Sequence, residues 1–130
     1  MNEQKREKLN RKDYWLHKSI VVKINTNKLG EKYLKKKAVV IDLKDKYTAI
    51  VKLIETGAII QLDQAYVETV LPAVGKEVLI VNGAYRGELA TMDEINIDKC
   101  CAKLIVSQGP LKGRVVNNVS YDDFSKYHKE

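Results

Sequence analysis

Apolar residues in this chain fall in short runs, many of them alternating with polar positions, and turn-forming residues close most of the runs. That period belongs to strands with one buried face, not to an amphipathic helix. Residues 20–24 (IVVKI), 38–43 (AVVIDL), 47–54 (YTAIVKLI), 58–63 (AIIQLD) and 68–71 (ETVL) predict five strands. Branched residues dominate them, the type that packs well on a pleated surface. A single helical turn is predicted over 65–67. After Pro72 and the short joint 73–75 the pattern starts again. Strands are predicted over 77–81, 89–95 and 99–107, with shorter β-like stretches at 114–116 and 119–121 separated by Asn117-Asn118. Residues 122–127 (DDFSKY) predict a closing 3₁₀ or short helical turn.

Repeated short strands with turn signals between them point to small barrels. Each half has about 55 residues, near the lower limit for a domain that folds alone. Two such barrels joined by three residues are expected to pack together in a fixed orientation. The groove between them is a natural ligand site. Residues 1–13 (MNEQKREKLNRKD) are polar and free of Gly and Pro, and read as helical or disordered. They look like the last turns of a helix from a longer protein. The expected division is a charged tail over 1–14, a first barrel over 15–72 and a second over 73–130.

Charge sharpens this picture through its distribution. The net charge is +6, but residues 1–37 carry 12 Lys and Arg against 4 Asp and Glu, whereas the remainder carries 11 against 13. A local excess of this kind is the footprint of a surface that faces a polyanion. Its densest part is the loop where Lys28, Lys32, Lys35, Lys36 and Lys37 surround Gly30 and Tyr33. Lysines there would offset phosphate charge and release counterions. Tyr33 would stack on an unpaired base, a contact worth about 1–3 kcal/mol. A solvated loop that keeps the barrel soluble is the plainer alternative.

A second candidate lies in the turn Gly83-Ala84-Tyr85-Arg86-Gly87. Its glycines permit a tight reversal, which would present the ring of Tyr85 and the guanidinium of Arg86 together. Arg86 would fork to phosphate or stack on a base. A tyrosine lid over the barrel is the structural alternative. Lys112 and Arg114 in the loop 110–114 (PLKGR) repeat the idea more weakly. The turn resembles a KOW motif, an element of RNA-associated and transcription-associated proteins.

Other chemistry finds little support. No GxSxG, HExxH or P-loop pattern occurs, and the pairs Asp93-Glu94 and Asp122-Asp123 read as solvated turns, so no enzyme is expected. Cys100 and Cys101 are adjacent and lack the spacing of metal ligands. One of them should be core and the other exposed. His17 and His128 read as surface histidines. No cofactor is expected. No apolar run approaches the roughly 20 residues of a membrane span, and no membrane partner is expected.

With these residues in view, the chain resembles the C-terminal region of the Kin family of DNA/RNA-binding proteins. The resemblance rests on IVVKI at 20–24, KLGEKY at 28–33, KKK at 35–37, DKYTA at 45–49, ETVLP at 68–72, YRG at 85–87, GPLKG at 109–113 and YDDFSK at 121–126. It implies two SH3-like barrels in tandem, the second holding the KOW motif. It also implies RNA binding in a nuclear protein, with the cytoplasm as the alternative location, linked to DNA replication, DNA repair and mRNA processing. Two lysines that flank the family's inter-barrel groove match Lys37 and Lys126, and Lys126 enters the candidate site by this route alone. A typical KOW motif has a glycine where this chain has Ala90. The family's zinc finger has no counterpart here, so zinc is not expected.

The resulting expectation is a mostly β, monomeric module that binds RNA, or single-stranded DNA, largely through phosphate contacts. The competing expectation is a protein-interaction scaffold that uses the groove or the edge strands of the barrels.

Overall fold

Two antiparallel sheets of five strands follow one another along the chain in a computed structural model that describes residues 2–129. The first contains β1 (Val21–Ile24), β2 (Lys37–Asp45), β3 (Thr48–Leu53), β4 (Ile59–Asp63) and β5 (Val67–Thr69), in the order β4-β3-β2-β1-β5. The second contains β6 (Glu77–Ile80), β7 (Leu89–Asn96), β8 (Cys101–Val106), β9 (Val115–Ser120) and β10 (Phe124–Lys126), in the order β10-β6-β7-β8-β9. Taken strand for strand, the two orders are the same. Each half also places a 3₁₀ turn, Gln64–Tyr66 or Tyr121–Asp123, directly before its fifth strand. Register shifts in the β2–β3 and β7–β8 pairs mark bulges, which bend these long strands so that each sheet can curl around its core.

The predicted strands correspond closely to the observed ones, with two differences. The segment 122–127 forms a turn only as far as Asp123 and then becomes β10, which pairs with β6. The two stretches 114–116 and 119–121 form one strand, β9. Asn118 sits at φ 55° beside a register shift against β8. Asparagine tolerates the left-handed region, so the strand bulges at this point rather than ending.

Each barrel encloses its own apolar cluster. Ile20, Ile24, Val40 and Val51 are central to the first, and Ile80, Met92, Leu104 and Phe124 to the second. The clusters are not insulated from one another, because Leu79 and Val81 of the second barrel pack into the first barrel's core. Polar links reinforce the contact. The Lys126 N–H donates to the Val70 carbonyl at 2.8 Å, and the His128 N–H donates to the Ser19 carbonyl at 2.7 Å. Ser125, fully buried, donates to the Val21 carbonyl at 2.6 Å and accepts from the Val70 N–H at 2.9 Å.

The charged segment at the start forms a helix, α1 (Glu3–Asn10), capped by the Asn2 side chain, which accepts from the Lys5 N–H at 2.9 Å. It buries no residue completely. Polar contacts hold it against the turn 83–87 of the second barrel. Cys101 is buried and Cys100 exposed, as expected, although Cys100 lies in the turn before β8 at φ 52° rather than on a strand. His128 is exposed, but His17 is half-buried.

Candidate nucleic-acid interface

The lysine loop 25–37 is pinned to the end of β1. The Lys35 N–H donates to the Ile24 carbonyl at 2.7 Å, and the Ile24 N–H donates to the Lys36 carbonyl at 2.9 Å. Within this frame Tyr33 packs partly onto the first barrel's core, and the Lys32 ammonium lies 5.0 Å from its ring centroid. Lys28 donates to the Tyr66 hydroxyl at 2.9 Å and sits over that ring; the hydrogen bond raises its pKa. Lys36 pairs with Glu55 at 2.9 Å. Lys32, Lys35 and Lys37 are exposed and have no ion-pair partner among the described residues.

A groove of about 410 Å³ lies where the first barrel meets the closing turn of the second. Lys23, Lys37 and Glu68 wall one side, and Tyr121 and Asp122 the other. Lys23 and Lys37 are cross-strand partners on β1 and β2, so their side chains emerge together. Glu68, opposite Lys23 on β5, pairs with it at 3.1 Å. Lys37 is left as the unpaired cation of the groove among the described residues. Lys23 was absent from the sequence-derived site. The signal was present: it is the one polar residue in IVVKI, between the buried Val22 and Ile24, and therefore faces outward from the core.

Lys126 stands differently from Lys37. Its backbone bonds to Val70 on the groove wall, but its side chain is not among those lining the groove. It is exposed on β10, on the opposite face from the buried Ser125. Lys112 is exposed in the loop before β9.

Tyr85 and Arg86 do not form the exposed pair expected of them. Tyr85 is 2% exposed; its hydroxyl donates to Glu3 at 3.0 Å and accepts from Arg114 at 3.3 Å, while the Arg6 guanidinium stacks 5.0 Å from its ring. Arg86 is turned inward. It donates to the carbonyls of Tyr14 at 2.6 Å and Val81 at 3.0 Å and lies over the Tyr14 ring at 4.7 Å. Burial lowers its pKa, yet a guanidinium at this site stays charged. Both side chains therefore serve internal contacts, whereas Arg114 stays exposed while it bonds to Tyr85. The turn itself is held by α1. Glu7 accepts from the Ala84 N–H at 2.8 Å, while Arg6 and Asn10 donate to the Ala84 carbonyl at 3.1 Å and 2.9 Å. Asp123 is likewise not a solvated carboxylate, because Arg11 forks to it at 2.8 Å and 3.1 Å. That fork, together with Glu7, raises the Arg11 pKa. Ala90, where a KOW glycine is typical, is fully buried on β7 between Val78 and Val106. Its methyl fills core, and its backbone has none of the positive φ that would favour glycine.

Comparison with known proteins bears on this architecture. Residues 11–63 match a family model described as the KN17 SH3-like domain, and residues 72–127 match one described as the KIN17 C-terminal SH3 domain. The chain belongs to the KIN17 family. Over 124 residues, 95% of this chain, it is 50% identical to the human DNA/RNA-binding protein KIN17 and 49% identical to the mouse protein. A KIN17-like protein of Arabidopsis thaliana is 42% identical over 125 residues. This chain spans about a third of the length of these KIN17 relatives: 32% of the human protein and 30% of the Arabidopsis one. Among the described residues no helix is long and apolar enough to cross a membrane, and no three His, Cys, Asp or Glu side chains are placed to hold a metal ion.

Proposed function

We propose that this chain is a nucleic-acid-binding module that prefers single-stranded RNA and acts by binding rather than by catalysis. One observation carries the reading: the unpaired lysines 32, 35 and 37 project from one loop of the first barrel, and Lys37 continues into the inter-barrel groove beside Lys23. Such an array offsets successive phosphates without reading sequence. The human and mouse KIN17 relatives carry DNA/RNA-binding in their names. We extend the proposal to a nuclear protein that serves DNA replication and repair and mRNA processing, as the family resemblance implies. It works as a monomer.

The test is charge reversal. Lys37→Glu combined with Lys126→Glu should weaken binding to a labelled single-stranded RNA by about tenfold or more, because each reversal removes one attraction and adds a repulsion. Unchanged affinity in a folded double variant contradicts the proposal. A parallel titration with single-stranded DNA of the same sequence measures the RNA preference.

A second reading has one observation in its favour. The β7–β8 hairpin exposes Ile97 at 74% and Ile95 at 37% beside a groove of about 530 Å³. Apolar side chains at an exposed hairpin suit a protein partner. Pull-down before and after nuclease treatment separates the readings, because only a directly held protein survives the nuclease.

A further inference from the structure

The lysine loop carries a feature that phosphate attraction does not require. Tyr33, Leu53 and Ala58 line a depression of about 270 Å³, with Lys32, Lys36, Glu55 and Thr56 around its rim. Its floor is apolar and its rim predominantly cationic. The one carboxylate at the rim is held by Lys36 at 2.9 Å. The space is at the small end for a ligand site, suited to a single flat ring rather than to a helix or an extended peptide. An occupant that suits both floor and rim has an apolar planar face and adjacent negative charge, which is the chemistry of a nucleotide.

Tyr33 is held ready for that role. Its N–H donates to the Gly30 carbonyl at 3.2 Å, its carbonyl accepts from the Lys36 N–H at 3.2 Å, and its ring rests against the barrel core. The Lys32 ammonium, 5.0 Å from the ring centroid, occupies the face that a base would take. A base that displaces it gains a stacking partner, and the released ammonium gains a phosphate. The depression and the groove lie on neighbouring backbone, with Lys36 on the rim of the first and Lys37 in the wall of the second. Leu53 pairs with Ala38, the residue after Lys37, and the Ile54 N–H donates to the Lys37 carbonyl at 3.1 Å. A backbone that passes Lys37 can therefore deliver a neighbouring base to Tyr33.

We propose that Tyr33, Leu53 and Ala58 form a pocket for one unpaired nucleobase, with Lys32 and Lys36 on the phosphates that flank it. The inference rests on the nucleic-acid reading above. It adds that an unpaired base is bound as well as phosphate, which a duplex, with its bases paired, cannot supply.

The experiment compares a short single-stranded RNA with an abasic sugar-phosphate oligomer of equal length, in the wild type, Tyr33→Phe and Tyr33→Leu. Leucine preserves apolar contact with the core but removes the ring. Wild type and Tyr33→Phe should bind the base-bearing oligomer about tenfold more tightly than the abasic one, the scale of one stacked base. Tyr33→Leu should lose that advantage and bind the two oligomers about equally. An advantage that survives in Tyr33→Leu, or no advantage in the wild type, overturns the pocket and leaves phosphate binding intact. Failure of the wild type to bind either oligomer overturns both.

Discussion

Ser125 is one of two buried polar residues among those described, and both of its hydrogen bonds cross between the barrels. Ser125→Ala would leave the Val70 N–H and the Val21 carbonyl without this partner. The expected loss is about 1–3 kcal/mol, read from the urea midpoint; an unchanged midpoint contradicts the account. His17 makes a second residue-scale prediction. Burial lowers its pKa from the ordinary 6.5, against the pull of the Trp15 carbonyl 2.9 Å from Nδ1, and nearby Arg86 pushes the same way as burial. The unfolded chain therefore takes up this proton at a higher pH than the fold does. The stability linked to His17 is present above about pH 6.5 and falls as the pH drops below it. Melting temperatures between pH 7.5 and 5.5 should show that fall, and His17→Gln should flatten it. The sequence around His17 does not show the Arg86 charge near it, which comes from a distant part of the chain. Tyr85 and Arg86 show the same limit. Their types suit nucleic-acid contact, but Tyr85 is engaged by Glu3 of α1 and Arg86 by the Tyr14 carbonyl, both more than 70 residues earlier in the chain.

Among the elements, the strands were legible because each apolar run is short, alternating and closed by a turn. β10 was not: its three residues, Phe124–Lys126, carry too little pattern to separate from the acidic turn before them. The docking of α1 was hidden for a related reason. The helix has no apolar stripe and is held by polar groups whose partners lie far along the sequence. Gly83 is the element's most sensitive contact. It sits at φ 89°, and a Cβ there would come within 3.0 Å of Arg11 Nη2 and Glu7 Oε2. Gly83→Ala combines left-handed strain of about 1–2 kcal/mol with pressure on the Glu7 and Arg11 side chains, of which Glu7 ties the helix to the turn. Amide exchange should then show lost protection over residues 6–11, with the sheets still protected. Retained protection there contradicts the proposed tie between turn and helix.

At the scale of the whole molecule, the two barrels share buried residues and cross-linking hydrogen bonds, so they should unfold as one unit. Calorimetry should show a single transition; two resolved transitions contradict that coupling. The uneven charge was visible from the sequence and points to the same loop as the structure. The groove was only partly visible. Lys37 was found, but Lys23 came to light only when β1 and β2 were paired, and Lys126 proved to stand beside the groove rather than in its lining. The central claim is that this side of the molecule holds nucleic acid through phosphate contacts. Its most direct test is the salt dependence of RNA affinity for the wild type and for Lys37→Gln. The account predicts a steep linear fall of log K with log salt, and a slope shallower by about one unit in the variant. A flat salt dependence, or identical slopes for the two proteins, would contradict it.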